Sequence, residues 1–211
     1  MRRSLTLSAF LAILSLPALA NGLSGMGEAI HGNGFSFGKP NLKTVPVDAV
    51  RVGDFTVDIQ HTLLSEVVKQ FGGTLRAEGE DSAKATWVCY SVKGKTPANV
   101  WFISNALGGF EFVMMVAAEL NPKPASECDA APANFTLPDF GVPGLGAKTD
   151  DIKKAFGAAS GSSGRISFRA DEPGADALGT SLNAQYLGYL VKGGTVVGIG
   201  VGETSVAPPA Q

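Results

Sequence analysis

Two short stretches of the chain place apolar residues three and four positions apart, which is the spacing of one face of an α-helix. The first is LSEVVKQFGG, residues 64–73, and the second is DIKKAFG, residues 151–157. Each ends in Phe-Gly, and a glycine directly after a helix accepts the positive φ that closes the last turn. The pattern predicts helices over residues 63–71 and 149–156, with Thr149 as the N-cap of the second.

Runs of β-branched and aromatic residues follow each predicted helix, as is typical of strands. Connections inside each half are too short to hold a crossover helix, so these strands should pair in antiparallel order. The sequence therefore predicts an α+β fold of two tandem units, each a short helix packed on an antiparallel three- to four-stranded meander. The predicted strands are residues 86–92, 100–104 and 110–117 in the first unit and residues 165–170, 184–191 and 195–204 in the second.

The first twenty residues have the pattern of a secretory signal peptide. Arg2 and Arg3 precede an apolar run over residues 5–16, and Ala18-Leu19-Ala20 is a small-residue cleavage site. The alternative is a membrane anchor, but the run is shorter than the roughly 20 apolar residues that a bilayer span requires. We therefore expect residues 1–20 to be removed and the protein to be periplasmic or secreted.

Changes in composition define the remaining boundaries. Glycine dominates the start of the chain after the signal peptide, and five prolines with little periodicity separate the two units. We expect a Gly-rich N-terminal arm at residues 21–49, the first unit at 50–118, a Pro-rich linker at 119–146, the second unit at 147–205 and a disordered tail at 206–211.

The repeated pattern of Val67-x-x-x-Phe71-Gly72 and Ile152-x-x-x-Phe156-Gly157, followed each time by an aromatic-bearing meander, resembles the tandem fold of beta-lactamase inhibitory proteins. It is also similar to the single-unit outer-membrane assembly lipoproteins of the small-protein-A type. The resemblance covers about residues 50–204 and implies the fold alone. The chain has no lipid-accepting cysteine after its signal peptide and no segment that matches an inhibitor loop, so no functional residue is carried over.

The only cysteines are Cys89 and Cys128. In an exported chain a disulfide is the simplest interpretation. It would close a loop of about 40 residues and stabilise the fold by roughly 3–4 kcal/mol on the chain-entropy model. The alternative is a metal or redox thiol pair, which lacks the C-x-x-C spacing and nearby histidines that such sites use.

Charge argues against a nucleic-acid partner. The chain has 17 Lys and Arg against 19 Asp and Glu, a net charge of −2, and no basic block. Binding to phosphates requires clustered cations. No mature segment is long and apolar enough to span a bilayer, so we expect no transmembrane segment after signal cleavage.

The sequence offers few residues for chemistry, and we expect no catalytic, cofactor-binding or metal residues. His31 lies in the Gly-rich arm and His61 precedes the first helix, where a structural role is the simpler interpretation. Asp171, Glu172 and Asp176 lack the spacing of a calcium loop and are expected in a solvated turn. The alternating glycines at 198, 200 and 202 lie on one strand face, which favours close approach of a helix or strand over a ligand site.

The predicted strands are apolar on both faces, which is unusual for a sheet covered by helices on one side. Trp87 and Cys89 point one way, whereas Val88 and Tyr90 point the other. Either the arm and the linker fold over the second face, or a partner binds there. The candidate partner-binding residues are Trp87, Trp101, Tyr186 and Tyr189, and we expect at least one of the two tryptophans to be partly exposed.

These observations favour an exported, non-catalytic binding or inhibitory module that recognises a protein or envelope component through its sheet. A structural or assembly factor of the cell envelope is the alternative. An enzyme with a dispersed site is a third hypothesis, and a deep pocket joining His31 or His61 to two carboxylates would favour it.

Overall fold

The computed structural model describes residues 22–32, 34–80, 84–122, 127–157, 164–174 and 181–206. The predicted signal peptide, Asp176 and residues 207–211 of the predicted tail lie outside these ranges. The helices are α1 (Gly25–His31), α2 (Leu64–Phe71) and α3 (Thr149–Phe156). The strands are β1 (Val50–Val52), β2 (Phe55–Val57), β3 (Arg76–Glu78), β4 (Ala85–Val92), β5 (Ala98–Asn105), β6 (Met115–Leu120), β7 (Asp129–Ala130), β8 (Arg165–Pro173), β9 (Leu182–Lys192) and β10 (Thr195–Val206).

One large sheet contains every strand except the β1–β2 hairpin. Its order is β3-β4-β5-β6-β10-β9-β8, and β7 adds a short parallel pairing to β4. The other pairs are antiparallel, as the short connections predict. The β4-β5-β6 meander and the β8-β9-β10 meander meet where the last strand of each, β6 and β10, pair with one another. The α+β class is therefore confirmed, with the two meanders joined into a single sheet.

Helices α2 and α3 begin in the same way. The backbone N–H of Leu63 donates to the Glu66 carboxylate at 2.8 Å, and that of Lys148 donates to the Asp151 carboxylate at 3.0 Å. These acidic side chains satisfy the N–H of the residue before the helix and add negative charge where the helix dipole is positive. The prediction of Thr149 as the N-cap is wrong, because Asp151 caps Lys148 and Thr149 is the first helical residue.

The two helices also end in the same way. Gly72 has φ 72° and Gly157 has φ 76°, and each donates its N–H to a carbonyl of the helix it follows. These φ values would strain a residue with a side chain. The Phe-Gly signal therefore predicted both helix ends correctly.

The third strand of the first meander starts later than predicted. The Asn105 side chain accepts hydrogen bonds from the N–H groups of Leu107 and Gly108, and this forms a 3-10 turn at Ala106–Gly108. Phe110 follows with φ 61°. These local bonds compete with strand pairing, so β6 begins only at Met115.

Helices α2 and α3 cover the same face of the sheet. Two cross-strand rows of apolar residues form that face, and α2, α3, the β1–β2 hairpin and the Pro-rich segment pack onto it. Short helices of this length are marginal alone, so this packing holds them in place. The first row is Val88, Phe102, Val116, Val201, Leu187 and Phe168, and the second is Tyr90, Val100, Ala118, Ile199, Tyr189 and Ile166.

The Pro-rich segment is part of this core. Phe135 and Phe140 are buried in it, and the Phe135 ring lies 4.8 Å from both Phe71 and Tyr90. The Cys89–Cys128 disulfide, with its Cα atoms 4.5 Å apart, fastens the segment to β4 from the opposite face. The predicted disulfide is confirmed.

The second face of the sheet is covered by α1. A cross-strand row of small residues, Ala117, Gly200 and Gly188, leaves a shallow trough between bulkier neighbours. Met26 and Ile30 of α1 lie over Gly200, where an added Cβ would come within 3.0 Å of the Met26 methyl group. The prediction that the alternating glycines receive a helix is confirmed at Gly200.

Helix α1 depends on the sheet because its own sequence favours it poorly. It has only seven residues, and Gly25 and Gly27 each cost about 1 kcal/mol relative to alanine in a helix. The Met26 N–H donates to the Glu119 carboxylate of β6 at 2.8 Å, and the Ser24 hydroxyl donates to the buried Glu127. These bonds to negatively charged groups fix the start of α1.

The outer edge of β8 is covered by residues 36–45. The Asn41 side chain donates to the Ser167 carbonyl at 3.2 Å and accepts from the Arg169 N–H at 2.8 Å. The Asn41 backbone N–H also donates to the Arg169 carbonyl at 3.0 Å. An edge satisfied in this way offers less unpaired backbone to another chain.

The contact between α1 and Trp101 predicts the effect of filling Gly27. A Cβ at Gly27 would lie 2.8–3.0 Å from three atoms of the buried Trp101 ring. Overpacking of this kind costs about 1–3 kcal/mol, which outweighs the roughly 1 kcal/mol of helix propensity gained. We expect Gly27→Ala to lower the free energy of unfolding by about 1–2 kcal/mol in a urea titration.

Gly38→Ala is the matched control, because nothing lies within 4 Å of its added Cβ. We expect it to change the free energy of unfolding by less than about 0.5 kcal/mol. A more stable Gly27→Ala protein would show that α1 does not pack tightly on the sheet.

Candidate functional site

Three of the four predicted partner-binding residues are buried. Trp87 is 1% exposed and Trp101 and Tyr189 are 0% exposed. The prediction that a tryptophan is partly exposed is wrong, because α1 and Phe35 cover that face of the sheet. Tyr189 lies on the opposite face, against Phe168 at a ring distance of 6.3 Å. Only Tyr186 keeps part of its surface in solvent.

The indole N–H groups of Trp87 and Trp101 are buried and make no hydrogen bond in the part of the chain that the structure describes. An unpaired buried donor costs about 1–3 kcal/mol. The two rings therefore contribute to the fold through apolar packing and shape, and neither can contact a partner while α1 is in place.

This packing sets the expected cost of removing a tryptophan. We expect Trp101→Ala to lower the free energy of unfolding by about 3–5 kcal/mol, the range of buried aromatic residues. Chemical denaturation of the disulfide-bonded protein measures it. A cost below about 1.5 kcal/mol would be typical of a surface residue and would contradict the burial of the ring.

A half-open cavity lies at the C-terminal end of α1. Gly202 lines it and stands between Met115 and Tyr186 in a cross-strand row. Ile30, His31 and Phe37 also line the cavity, which measures about 180 Å³. The glycine pattern predicted close approach of another part of the chain, and the Met115 side chain lies over Gly202, because an added Cβ would come within 2.7 Å of the Met115 Cγ.

Aromatic rings form one wall of this cavity. The rings of Phe35 and Phe37 are 5.7 Å apart, and those of Phe37 and Tyr186 are 4.8 Å apart. The guanidinium of Arg169 lies 5.5 Å from the Tyr186 ring centre, within the range of a cation–π contact. The Ser167 hydroxyl donates to the Ser36 carbonyl at 3.0 Å, which fastens the aromatic segment to β8.

Arg169 is held by Asp171 through two hydrogen bonds of 2.6 and 2.9 Å. This pairing raises the pKa of Arg169. The expectation of a solvated turn at Asp171 and Glu172 is wrong, because both residues lie in β8. Arg169 also donates to the Gly38 carbonyl at 3.1 Å, so its charge is already compensated on the protein side.

His31 stands between this cavity and a second one. The second cavity measures about 230 Å³ and is bordered by Leu23, Glu78 and Trp87. The His31 ring nitrogens make no hydrogen bond to any described residue, and burial lowers the pKa of the ring. His31 is therefore disposed to remain neutral, with one nitrogen free to accept and the other free to donate.

A polar network joins β9 and β10 to Val47 and Gln60 on the face of the sheet that α2 and α3 cover. Gln185, which is 1% exposed, accepts the Val47 N–H at 2.9 Å and donates to the Val47 carbonyl at 2.7 Å. Gln185 also donates to one Glu203 carboxylate oxygen at 2.7 Å, and Gln60 donates to the other at 2.9 Å. Burial raises the pKa of Glu203, and the two amide donors oppose that shift.

The second histidine, His61, is exposed, and its Nδ1 lies 3.1 Å from the Ile59 carbonyl. Neither His31 cavity joins the imidazole to two carboxylates among the described residues, since one includes Glu203 and the other Glu78. The described residues contain no group of His, Cys, Asp or Glu side chains placed to hold a metal ion. None of the helices in the described ranges combines the length and apolarity that a bilayer crossing requires.

Comparison of the chain with protein-family models, curated proteins and solved structures gives no match. The cavity must therefore be interpreted from its own residues. The sequence pointed to Tyr186 and to the glycines of β10. It did not indicate that Phe37 and His31 would border a cavity, because the N-terminal arm has no hydrophobic periodicity that predicts where it packs.

The burial of His31 predicts how stability changes with pH. The lowered pKa means that the unfolded chain binds a proton more readily than the folded one below pH 6.5, the ordinary pKa. Stability should fall as the pH falls through 6.5 toward the pKa of the folded state. The titratable residues that border the two cavities beside His31 are Glu78 in one and Tyr186 and Glu203 in the other.

The measurement is the urea midpoint of the native protein and of His31→Gln at pH 7.5 and 5.5. We expect the native protein to lose more stability than His31→Gln on acidification. Glu203 has the opposite effect at lower pH, because its raised pKa adds stability as protons bind. Both proteins contain Glu203, so the difference isolates His31, and parallel profiles would contradict its burial.

Proposed function

We propose that the chain is a tandem repeat, two copies of one helix-plus-meander unit. Leu64 and Thr149, the first residues of α2 and α3, are 85 positions apart, and so are Phe71 and Phe156, the last ones. The shared acidic cap, the shared glycine at the end and the three-stranded meander in each half, β4-β5-β6 and β8-β9-β10, support this relation. Pairing of β6 with β10 would then join equivalent strands of the two copies.

We propose that the protein is an exported, periplasmic or secreted, non-catalytic binding module. It recognises a protein or envelope component through the α1 face of its sheet. Export is supported by the Cys89–Cys128 disulfide, because such bonds persist in oxidising compartments. The observation that supports recognition is the half-open aromatic cavity beside Tyr186, because the other candidate residues, Trp87, Trp101 and Tyr189, are buried.

The cavity is suited to one anchoring group of a partner. Aromatic residues supply large contact area with few rotatable bonds, and they often dominate binding energy. Tyr186 and Phe37 are already packed against each other at 4.8 Å, so little side-chain freedom is lost when a partner binds. Glycine at position 202 lets the Met115 side chain pack close to the strand, beside Tyr186.

The test is capture of a partner from envelope extract by the native protein and by Tyr186→Ala. We expect one stoichiometric partner with the native protein and at least about tenfold less capture with Tyr186→Ala, the loss expected for a 1.4 kcal/mol anchor. Because Tyr186 is partly exposed, the change should cost less than about 1.5 kcal/mol in stability.

Leu107→Ala is the control. Leu107 is 61% exposed in the turn before β6, so the substitution removes an apolar surface group that does not line the cavity. Equal capture by Tyr186→Ala and the native protein would contradict recognition at the cavity. Recovery of a multi-protein complex, in place of one partner, would favour a structural or assembly factor of the envelope.

A further inference from the structure

The dimensions of the cavity beside α1 limit what it can hold. Its volume of about 180 Å³ is close to the 150 Å³ of an engineered apolar cavity that binds benzene. One six-membered ring with a small substituent therefore fits. Ile30, Phe37 and Met115 make the walls apolar.

Two polar groups at this cavity lack protein partners among the described residues. They are the imidazole of His31 and the hydroxyl of Tyr186. Burial raises the pKa of Tyr186, so its hydroxyl stays protonated, and burial keeps His31 neutral. Both groups can donate and accept hydrogen bonds, which suits a ligand with a hydroxyl group.

The charges around the cavity disfavour an ionic ligand. Arg169 is committed to Asp171 and to the Gly38 carbonyl, so it is not free to pair with an anion. The Glu203 carboxylate lies on the opposite face of β10 from Gly202 and Thr204, where it accepts hydrogen bonds from Gln185 and Gln60. A cation would therefore find no carboxylate of β10 facing the cavity.

We infer that this cavity binds a phenol, with its ring against Phe37 and Met115 and its hydroxyl group hydrogen-bonded to His31. The inference rests on the binding site of the proposed function and adds the chemical class of the ligand. A tyrosine side chain of a partner protein and a free phenol share this chemistry.

The experiment compares 4-methylphenol with toluene, which has the same ring and methyl group but no hydroxyl. Binding to the disulfide-bonded exported protein is measured by titration calorimetry and by saturation-transfer NMR. We expect 4-methylphenol to bind about 3- to 10-fold more tightly than toluene, the range that one net hydrogen bond supplies. Equal affinities would overturn the inference.

Variants at His31 test the hydrogen bond. We expect His31→Phe to reduce the affinity for 4-methylphenol to that for toluene, because a phenyl ring has no nitrogen to accept a hydrogen bond from the phenol hydroxyl. His31→Gln should keep a preference for the phenol, because its amide oxygen still accepts. An unchanged preference in His31→Phe would overturn the inference. Should His31→Phe not fold, as judged by near-UV circular dichroism, His31→Leu replaces it.

Variants on β10 test the location. Thr204 borders the cavity, whereas Ser205 is exposed and points to the other face of the strand. We expect Thr204→Phe to abolish binding of both small molecules and Ser205→Phe to leave it within twofold. Binding that survives in Thr204→Phe would place the ligand elsewhere and overturn the inference.

Competition by N-acetyl-tyrosinamide separates the two sources of a phenol. Displacement of 4-methylphenol identifies a partner's tyrosine side chain, and no displacement identifies a free phenol.

The two proposals can also fail separately. If Tyr186→Ala loses its partner while 4-methylphenol and toluene bind alike, the phenol assignment is wrong and the binding module stands. If 4-methylphenol binds as expected but Tyr186→Ala captures as much partner as the native protein does, the binding module is wrong and the phenol site stands.

Discussion

The packing of α1 into the small-residue trough of the sheet is the contact on which the apolar core of the second face depends. Gly200 makes room for the Met26 and Ile30 side chains and Gly188 for the Phe35 ring, while Gly27 lets the helix backbone pack against the Trp101 ring. A sheet that is apolar on both faces must be covered on both. The first face has two helices, a hairpin and the Pro-rich segment, whereas the second relies mainly on seven helical residues and the phenylalanines that follow them.

The same contact creates the cavity. Helix α1 ends at His31, and Phe37 resumes the cover at Tyr186. The cavity lies between these two elements, beside Met115 and Gly202. The site is therefore a consequence of how far the cover reaches, and its residues come from the N-terminal arm and both meanders.

The sequence predicted the local features well and the coverage of the second face poorly. Helices α2 and α3 carry apolar stripes and end at Phe-Gly, so their ends were correct within a residue. The disulfide followed from the number of cysteines. Helix α1 has glycines where helix formers are expected, so its pattern could not show that it would bury both tryptophans. The alternating glycines of β10 showed a bare face, but only long-range packing decides that Met26 and Ile30 of α1 cover Gly200 whereas Met115 of β6 covers Gly202.

The partners of α1 are spread along the chain, so its packing site is completed late. Trp101 and Glu119 lie on β5 and β6, whereas Gly200, which meets Met26 and Ile30, lies on β10, the last strand of the sheet. A chain that emerges from its N-terminus therefore offers α1 the β5–β6 surface first and the Gly200 surface only when nearly all of the chain has appeared. Glycines at positions 25 and 27 keep the waiting arm from folding alone. The tryptophan face is closed completely only with the last strand, by a segment from the start of the chain.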